Sequence, residues 1–153
     1  MEQKSINGFS QKEIYTLYSF LNFYEHGRIK YMNQTELLDK YPHMSEITIV
    51  MENFSYEEKT QKELQEIDIN SITNEFYFTK YKSKTLGVLY HLRNSIAHAK
   101  IRKVKSDVYI EDFDTKIKNP EHTAKGKISF KVIEDIQKII QNNDLKTTNN
   151  ETV

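Results

Sequence analysis

Three stretches of the chain place apolar side chains three or four residues apart, which is the spacing of one face of an α-helix. They cover residues 14–21, 86–97 and 132–140. Ser10, followed by Glu13 three residues later, predicts a capping box at the start of the first stretch. The 153 residues include only 4 Gly and 2 Pro, so few sharp turns are expected. These features predict an all-α fold.

The rest of the chain is assigned around these helices. Residues 57–66 and 74–81 are interpreted as further helical segments, and residues 116–127 as a loop. Residues 99–105 and 108–113 alternate apolar and polar side chains around a polar turn, which predicts a short β-hairpin. Because a lone hairpin is marginal in water, it should lie against the helices. The expected architecture is a bundle of four to five helices with a hairpin-like insertion before the last helix.

The same patterns predict one domain over residues 1–153, and they show no internal repeat. Residues 1–9 and 144–153 are polar and are expected to be loosely ordered tails. Gly27 is a candidate left-handed cap for the first helix. Gly87, inside a predicted helix, is either simply tolerated or allows another helix to approach closely.

Composition limits the possible function classes. The 22 basic and 22 acidic side chains give a net charge of zero, so nucleic-acid binding would depend on local clusters of charge. The chain has no cysteine, which excludes a thiol nucleophile and cysteine-ligated zinc. Its five histidines are scattered and no His-Glu-x-x-His occurs, so no metal or cofactor is expected. No secretory signal and no membrane span is recognisable, and the expected location is the cytoplasm.

One short stretch concentrates reactive side chains near the end of the second predicted helix. It contains Arg93, Asn94 and His98. On a helix, Asn94 and His98 share a face, and His91 lies on that face as well. Arg93 points well away from them. Arg93 and His98 therefore meet at one ligand only if the helix loosens at His98, or if a second copy contributes its own pair.

The sequence Leu92-Arg93-Asn94, followed by three residues and His98, resembles the signature of HEPN domains (higher eukaryotes and prokaryotes nucleotide-binding). The resemblance covers roughly residues 10–143. It implies a small all-helical bundle that acts as a homodimer. Many members of that family are metal-independent endoribonucleases with toxin–antitoxin or phage-defence roles. A nucleotidyltransferase-type antitoxin often accompanies them and is a possible partner here.

The resemblance also implies roles for the three residues. His98 would be the general acid and base, since an imidazole with a pKa near 6.5 exists in both forms at neutral pH. Arg93 would clamp the phosphate, because its guanidinium is always charged and matches phosphate oxygens. Asn94 would donate to a phosphate oxygen or orient His98. The products would be a 2′,3′-cyclic phosphate and a 5′-hydroxyl end.

Each of these residues also has a structural interpretation. Arg93 would then form a buried ion pair with a glutamate of a neighbouring helix, and His98 would stabilise a helix C-terminus. His91 is a possible helper. The four basic residues after the site either bind the RNA backbone or protect an edge strand from aggregation; they are Lys100, Arg102, Lys103 and Lys105.

Two other interpretations concern the whole chain. One is a non-catalytic HEPN-like binding or assembly module. The other is a structural helical domain in which the match is accidental.

Overall fold

The computed structural model describes residues 7–114, 116, 118 and 120–151, and only the backbone for 143–151. The expectation of loose order at 1–6 and 152–153 falls outside these residues, whereas residues 144–151, for which a loose tail was also expected, belong to the last helix. The helices are α1 (Gln11–His26), α2 (Gln34–Lys40), α3 (Glu46–Met51), α4 (Gln61–Glu66), α5 (Lys84–Ala97) and α6 (Phe130–Glu151), with short 3₁₀ turns at Ile29–Tyr31 and Pro42–Ser45. The strands are β1 (Ser55–Glu58), β2 (Glu75–Phe78), β3 (Ile101–Val104), β4 (Asp107–Phe113) and β5 (His122–Ser129).

The prediction of an all-α bundle is wrong. The strands form one five-stranded sheet in the order β1-β2-β5-β4-β3. β1 and β2 are parallel, and the other neighbours are antiparallel. The expected hairpin exists as β3 and β4, but β4 also pairs along its other edge with β5. The protein is therefore an α/β fold, and the hairpin belongs to the sheet rather than being an insertion in a bundle.

Two of the wrong predictions concern β2 and β5. The sequence predicts a helix for the aromatic residues around Phe76, but Phe76 and Phe78 are buried on the same side of β2 while Tyr77 is only partly buried. It predicts a loop for residues 116–127, which include most of β5 and few large apolar side chains. β5 lies at the centre of the sheet, where a Cβ on Gly126 would come within 2.6 Å of the Phe76 ring. A small residue is therefore required at this position of β5.

A third wrong prediction of secondary structure concerns residues 57–66. Their first part, Glu57-Glu58, ends β1, and only Gln61–Glu66 forms a helix. The pairing of β1 with the buried strand β2 outweighs the helix propensity of the glutamates, because propensity is a weak preference that tertiary context overrides.

The sheet has an inner face covered by helices. α5 packs on β4, and α1 packs against both α5 and α6. Phe9, within the stretch expected to be loosely ordered, is only 2% exposed and contacts Phe130. α4 packs on β5 from the other side of the sheet, where Lys125 Nζ donates to the Ile67 carbonyl at 2.7 Å. None of the helices in the described ranges combines the length and apolar character needed to cross a bilayer.

The structure confirms some of the predictions made for helix ends and glycines and contradicts others. The capping box of Ser10 and Glu13 is confirmed. Gly27 has a φ of −75°, so it is not a left-handed cap; Arg28, with a φ of 55°, takes that conformation instead. Gly87 allows the close approach of a strand rather than of a helix, since a Cβ there would lie 2.5 Å from the Phe78 ring.

Candidate functional site

The site residues lie at the C-terminal end of α5. Ser83 caps the start of this helix through its side chain, and His98 is the residue at which the helix ends. The His98 backbone N–H still donates to the Asn94 carbonyl at 2.9 Å, so the helix does not unwind before His98. Within one chain, the divergence of Arg93 and His98 expected from helical spacing therefore persists.

Arg93 is held by an acidic side chain of α1. Its Nε donates to Glu25 in an ion pair, and its Nη1 donates to Asn94 Oδ1 at 2.9 Å. The side chains of Arg93 and Glu25 are 26% and 48% exposed. The guanidinium is thus partly accessible to solvent but already has an anionic partner. This is the ion pair with a glutamate of a neighbouring helix that the structural interpretation of Arg93 expects, except that the pair is partly exposed rather than buried.

Asn94 connects Arg93 to a buried acid. Asn94 Nδ2 donates to Asp112 Oδ2 at 3.1 Å, and His91 Nδ1 lies 2.8 Å from the same oxygen. The other oxygen of Asp112 accepts from the Phe113 backbone N–H at 2.9 Å. His91 and Asp112 are almost fully buried. Asn94 and His91 share a helix face as expected, but both are directed at β4, so Asn94 orients Arg93 rather than His98.

His98 faces an open cavity at the end of the sheet. Its side chain is exposed, and it lines a cavity of about 380 Å³ together with Lys100, Phe113 and Pro120. Arg93 does not line this cavity. A single chain therefore presents an imidazole and an ammonium group at one cavity and holds the guanidinium elsewhere, against α1.

The four basic residues of the predicted RNA-binding segment fall into different environments. Lys100 and Arg102 are exposed. Their charged groups lie over the rings of Phe113 and Tyr109, on the side of the sheet that faces away from α5. Lys103 is neutralised by Glu13 of α1, with 3.2 Å between Nζ and Oε2. Lys105 lies in the turn between β3 and β4 with a φ of 60°.

The sequence did not reveal the aromatic and basic residues that gather beside Arg102. Tyr109 lies opposite Arg102 on β3 and opposite Lys127 on β5, and both cations lie over its ring. The alternation within β4 was visible in the sequence and would have placed Tyr109 and Phe113 on one face. Lys127 and His122 were missed because β5 was not recognised as a strand.

His122 occupies an unusual position at the edge of this group. Its ring lies 4.2 Å from that of Phe113, and its buried Nε2 has no hydrogen-bond partner among the residues that the structure describes, with Glu111 Oε2 at 3.7 Å. Burial, together with the nearby charge of Lys125, lowers the pKa of His122 below 6.5, although Glu111 acts in the opposite direction.

Tyr24 lies near the Arg93 side of the site. Its hydroxyl is buried, and no described part of the chain offers it a hydrogen-bond partner. Burial raises the pKa of this phenol well above its usual value, and Tyr81 adds to the effect while Arg93 opposes it. Tyr24 therefore remains a neutral phenol beside the guanidinium.

No protein-family model, no curated protein and no solved structure matched this chain.

Proposed function

We propose that this protein is a metal-independent endoribonuclease that acts as a homodimer. The observation that carries the proposal is the exposed imidazole of His98 beside the Lys100 ammonium group at an open cavity. Cleavage of RNA without a metal requires a group that takes a proton from the 2′-hydroxyl and returns one to the leaving 5′-oxygen. An accessible histidine performs both transfers.

A second copy supplies what one chain does not bring together. The negative charge that develops on the phosphate requires a guanidinium or a comparable donor. Arg93 of the same chain is bound to Glu25 and does not line the His98 cavity. In a twofold dimer that joins the C-terminal ends of the two α5 helices, an Arg93 and a His98 from different copies would face one phosphate.

A toxin or phage-defence role, with a nucleotidyltransferase-type antitoxin as partner, belongs to the same proposal through the HEPN resemblance.

The test is cleavage of labelled RNA in the presence of EDTA. The wild-type protein is expected to release fragments with 2′,3′-cyclic phosphate and 5′-hydroxyl ends. The variants His98→Ala and Arg93→Ala should each be inactive, while His43→Ala, which removes another exposed histidine, should cleave normally. Full activity in the His98→Ala variant would refute the proposed role of His98.

Mixing the two inactive variants tests the shared site. If each site combines residues from two copies, a mixed dimer retains one Arg93 and one His98 and regains activity. No recovery, with subunit exchange verified by a tag pull-down, would contradict the dimeric arrangement.

A second candidate function is a non-catalytic RNA-binding or assembly module. The ion pair between Arg93 and Glu25 favours it, because that pair gives Arg93 a structural role that needs no phosphate. In that case the protein would bind RNA without cleaving it, and Arg93→Ala would alter the stability of the protein without any effect on the length of the RNA.

A further inference from the structure

The outer face of the sheet, which points away from α5, carries two aromatic side chains among cations. We define it by the residues of β4 that face this way, Asp107, Tyr109, Glu111 and Phe113, and by their neighbours on β3 and β5. Lys125, opposite Glu111, is covered where Lys125 Nζ binds the Ile67 carbonyl. The exposed part of the face therefore runs along β3 and β4.

One end of this face is built around Tyr109. The Arg102 guanidinium lies 3.9 Å from the centre of the Tyr109 ring, and Lys127 Nζ lies 4.8 Å from it. Arg102, Tyr109 and Lys127 are opposite one another in the register of three adjacent strands. A flat guanidinium over a phenol ring presents a surface on which a nucleic-acid base stacks, and the two cations are available to phosphates.

The other end is built around Phe113. The Phe113 ring has Lys100 Nζ at 5.8 Å and the His122 ring at 4.2 Å. Phe113 and Lys100 also line the cavity that contains His98. A second cavity of about 190 Å³ includes Lys100, Arg102 and Tyr109 in its lining. Lys100 therefore lines both cavities, the one at the Tyr109 end and the one at His98.

We propose that the outer face binds single-stranded RNA, with unpaired bases stacked at Tyr109 and Phe113 and the backbone running past Lys100 towards His98. Two positions four residues apart on a strand are about 13 Å apart, so the two stacking sites hold different nucleotides. Stacking requires exposed base faces, which a duplex does not offer, and the local excess of cations matches a phosphate backbone. The proposed path of the RNA towards His98 rests on the proposed nuclease function, whereas the binding of RNA to this face does not.

The outer face carries two anions, Asp107 at the start of β4 and Glu111. Glu111 lies between Tyr109 and Phe113, with His122 Nε2 at 3.7 Å from its Oε2. A carboxylate at this position opposes binding of a phosphate backbone, so removing its charge should strengthen binding.

The test is fluorescence anisotropy with a labelled, fully 2′-O-methylated single-stranded RNA, which cannot be cleaved. Tyr109→Leu and Phe113→Leu are each expected to weaken binding about 5- to 150-fold, the effect of removing one base–aromatic stack. Tyr109→Phe keeps the ring and should bind as the wild type does. Lys127→Gln should reduce the salt dependence of binding by about 0.7 in the log–log slope for each phosphate that Lys127 neutralises. Glu111→Gln should bind more tightly.

Two results would overturn this inference. One is wild-type affinity in both leucine variants, when circular dichroism shows them to be folded. The other is equal affinity for a duplex of the same sequence or for polyglutamate, which would indicate recognition of a duplex or of negative charge in general. Because the probe cannot be cleaved, normal binding without cleavage of ordinary RNA would refute the proposed nuclease function and leave the binding surface supported. Cleavage of ordinary RNA without binding to this face would refute the binding surface and leave the nuclease function supported.

Discussion

The Asp112 carboxylate lies 2.8 Å from His91 Nδ1, and both side chains are only 3% exposed. The same carboxylate oxygen accepts from Asn94, which in turn accepts from Arg93, and Arg93 is paired with Glu25. This series of hydrogen bonds joins β4, α5 and α1. The position of the candidate phosphate-binding arginine therefore depends on a buried pair that the sequence signature does not include.

The first prediction concerns this buried pair. Asp112→Ala leaves His91 and Asn94 without their shared acceptor in the core, so the free energy of unfolding should fall by about 3–5 kcal/mol. Urea denaturation followed by circular dichroism measures the change. Asp39→Ala, which removes an exposed aspartate from α2, is the control and should change stability by less than about 0.5 kcal/mol. A decrease as small as that of the control would show that the pair adds little.

The second prediction concerns Gly87. Replacing a helical glycine with alanine normally stabilises a helix by about 1 kcal/mol. Here the new Cβ would lie 2.5 Å from the ring of Phe78, which is fully buried. Gly87→Ala should therefore destabilise the protein by about 1–3 kcal/mol, as overpacking does. Thermal unfolding measures the decrease. Combining it with Phe78→Leu should cost less than the sum of the two single changes, and strict additivity would contradict the proposed clash.

The third prediction concerns the Glu25 side chain. The ion pair with Arg93 is partly exposed, so Glu25→Gln should lower the free energy of unfolding by less than about 1 kcal/mol. It should also strengthen RNA binding, because the guanidinium loses a competing anion. Glu52→Gln makes the same change of charge at another exposed site and serves as the control. Equal effects of the two variants on affinity would show that only net charge matters.

The fourth prediction concerns pH. Burial lowers the pKa of His122 in the folded protein, so the unfolded chain binds more protons at this position below pH 6.5. The contribution of His122 to stability is complete above pH 6.5, and it is lost as the pH falls from 6.5 through the lowered pKa. His122→Gln should therefore make stability less dependent on pH in this window. Urea denaturation at a series of pH values gives the free energy of unfolding of the wild type and of the variant. If the plots of this free energy against pH remain parallel for the two proteins, the prediction is contradicted.

The sequence by itself determined the elements whose signals are local. The capping box at Ser10 and the apolar spacing along α1, α5 and α6 depend only on neighbouring residues, as does the alternation within β3 and β4. These elements were recognised because such patterns report which face of an element is buried, whatever its partner. The shared face of His91 and Asn94 followed from the same helical geometry.

Only the tertiary structure decided the fold class and the partners of the site residues. β5 is a strand because it pairs on both sides, and Gly126 is small because the Phe76 ring covers it. Arg93 is fixed by Glu25, 68 positions away in the chain, and Asn94 by Asp112, 18 positions away. Hydrogen bonding and packing between distant segments carry no periodic signal in the sequence, so the sheet and the environment of Arg93 followed only from the folded chain.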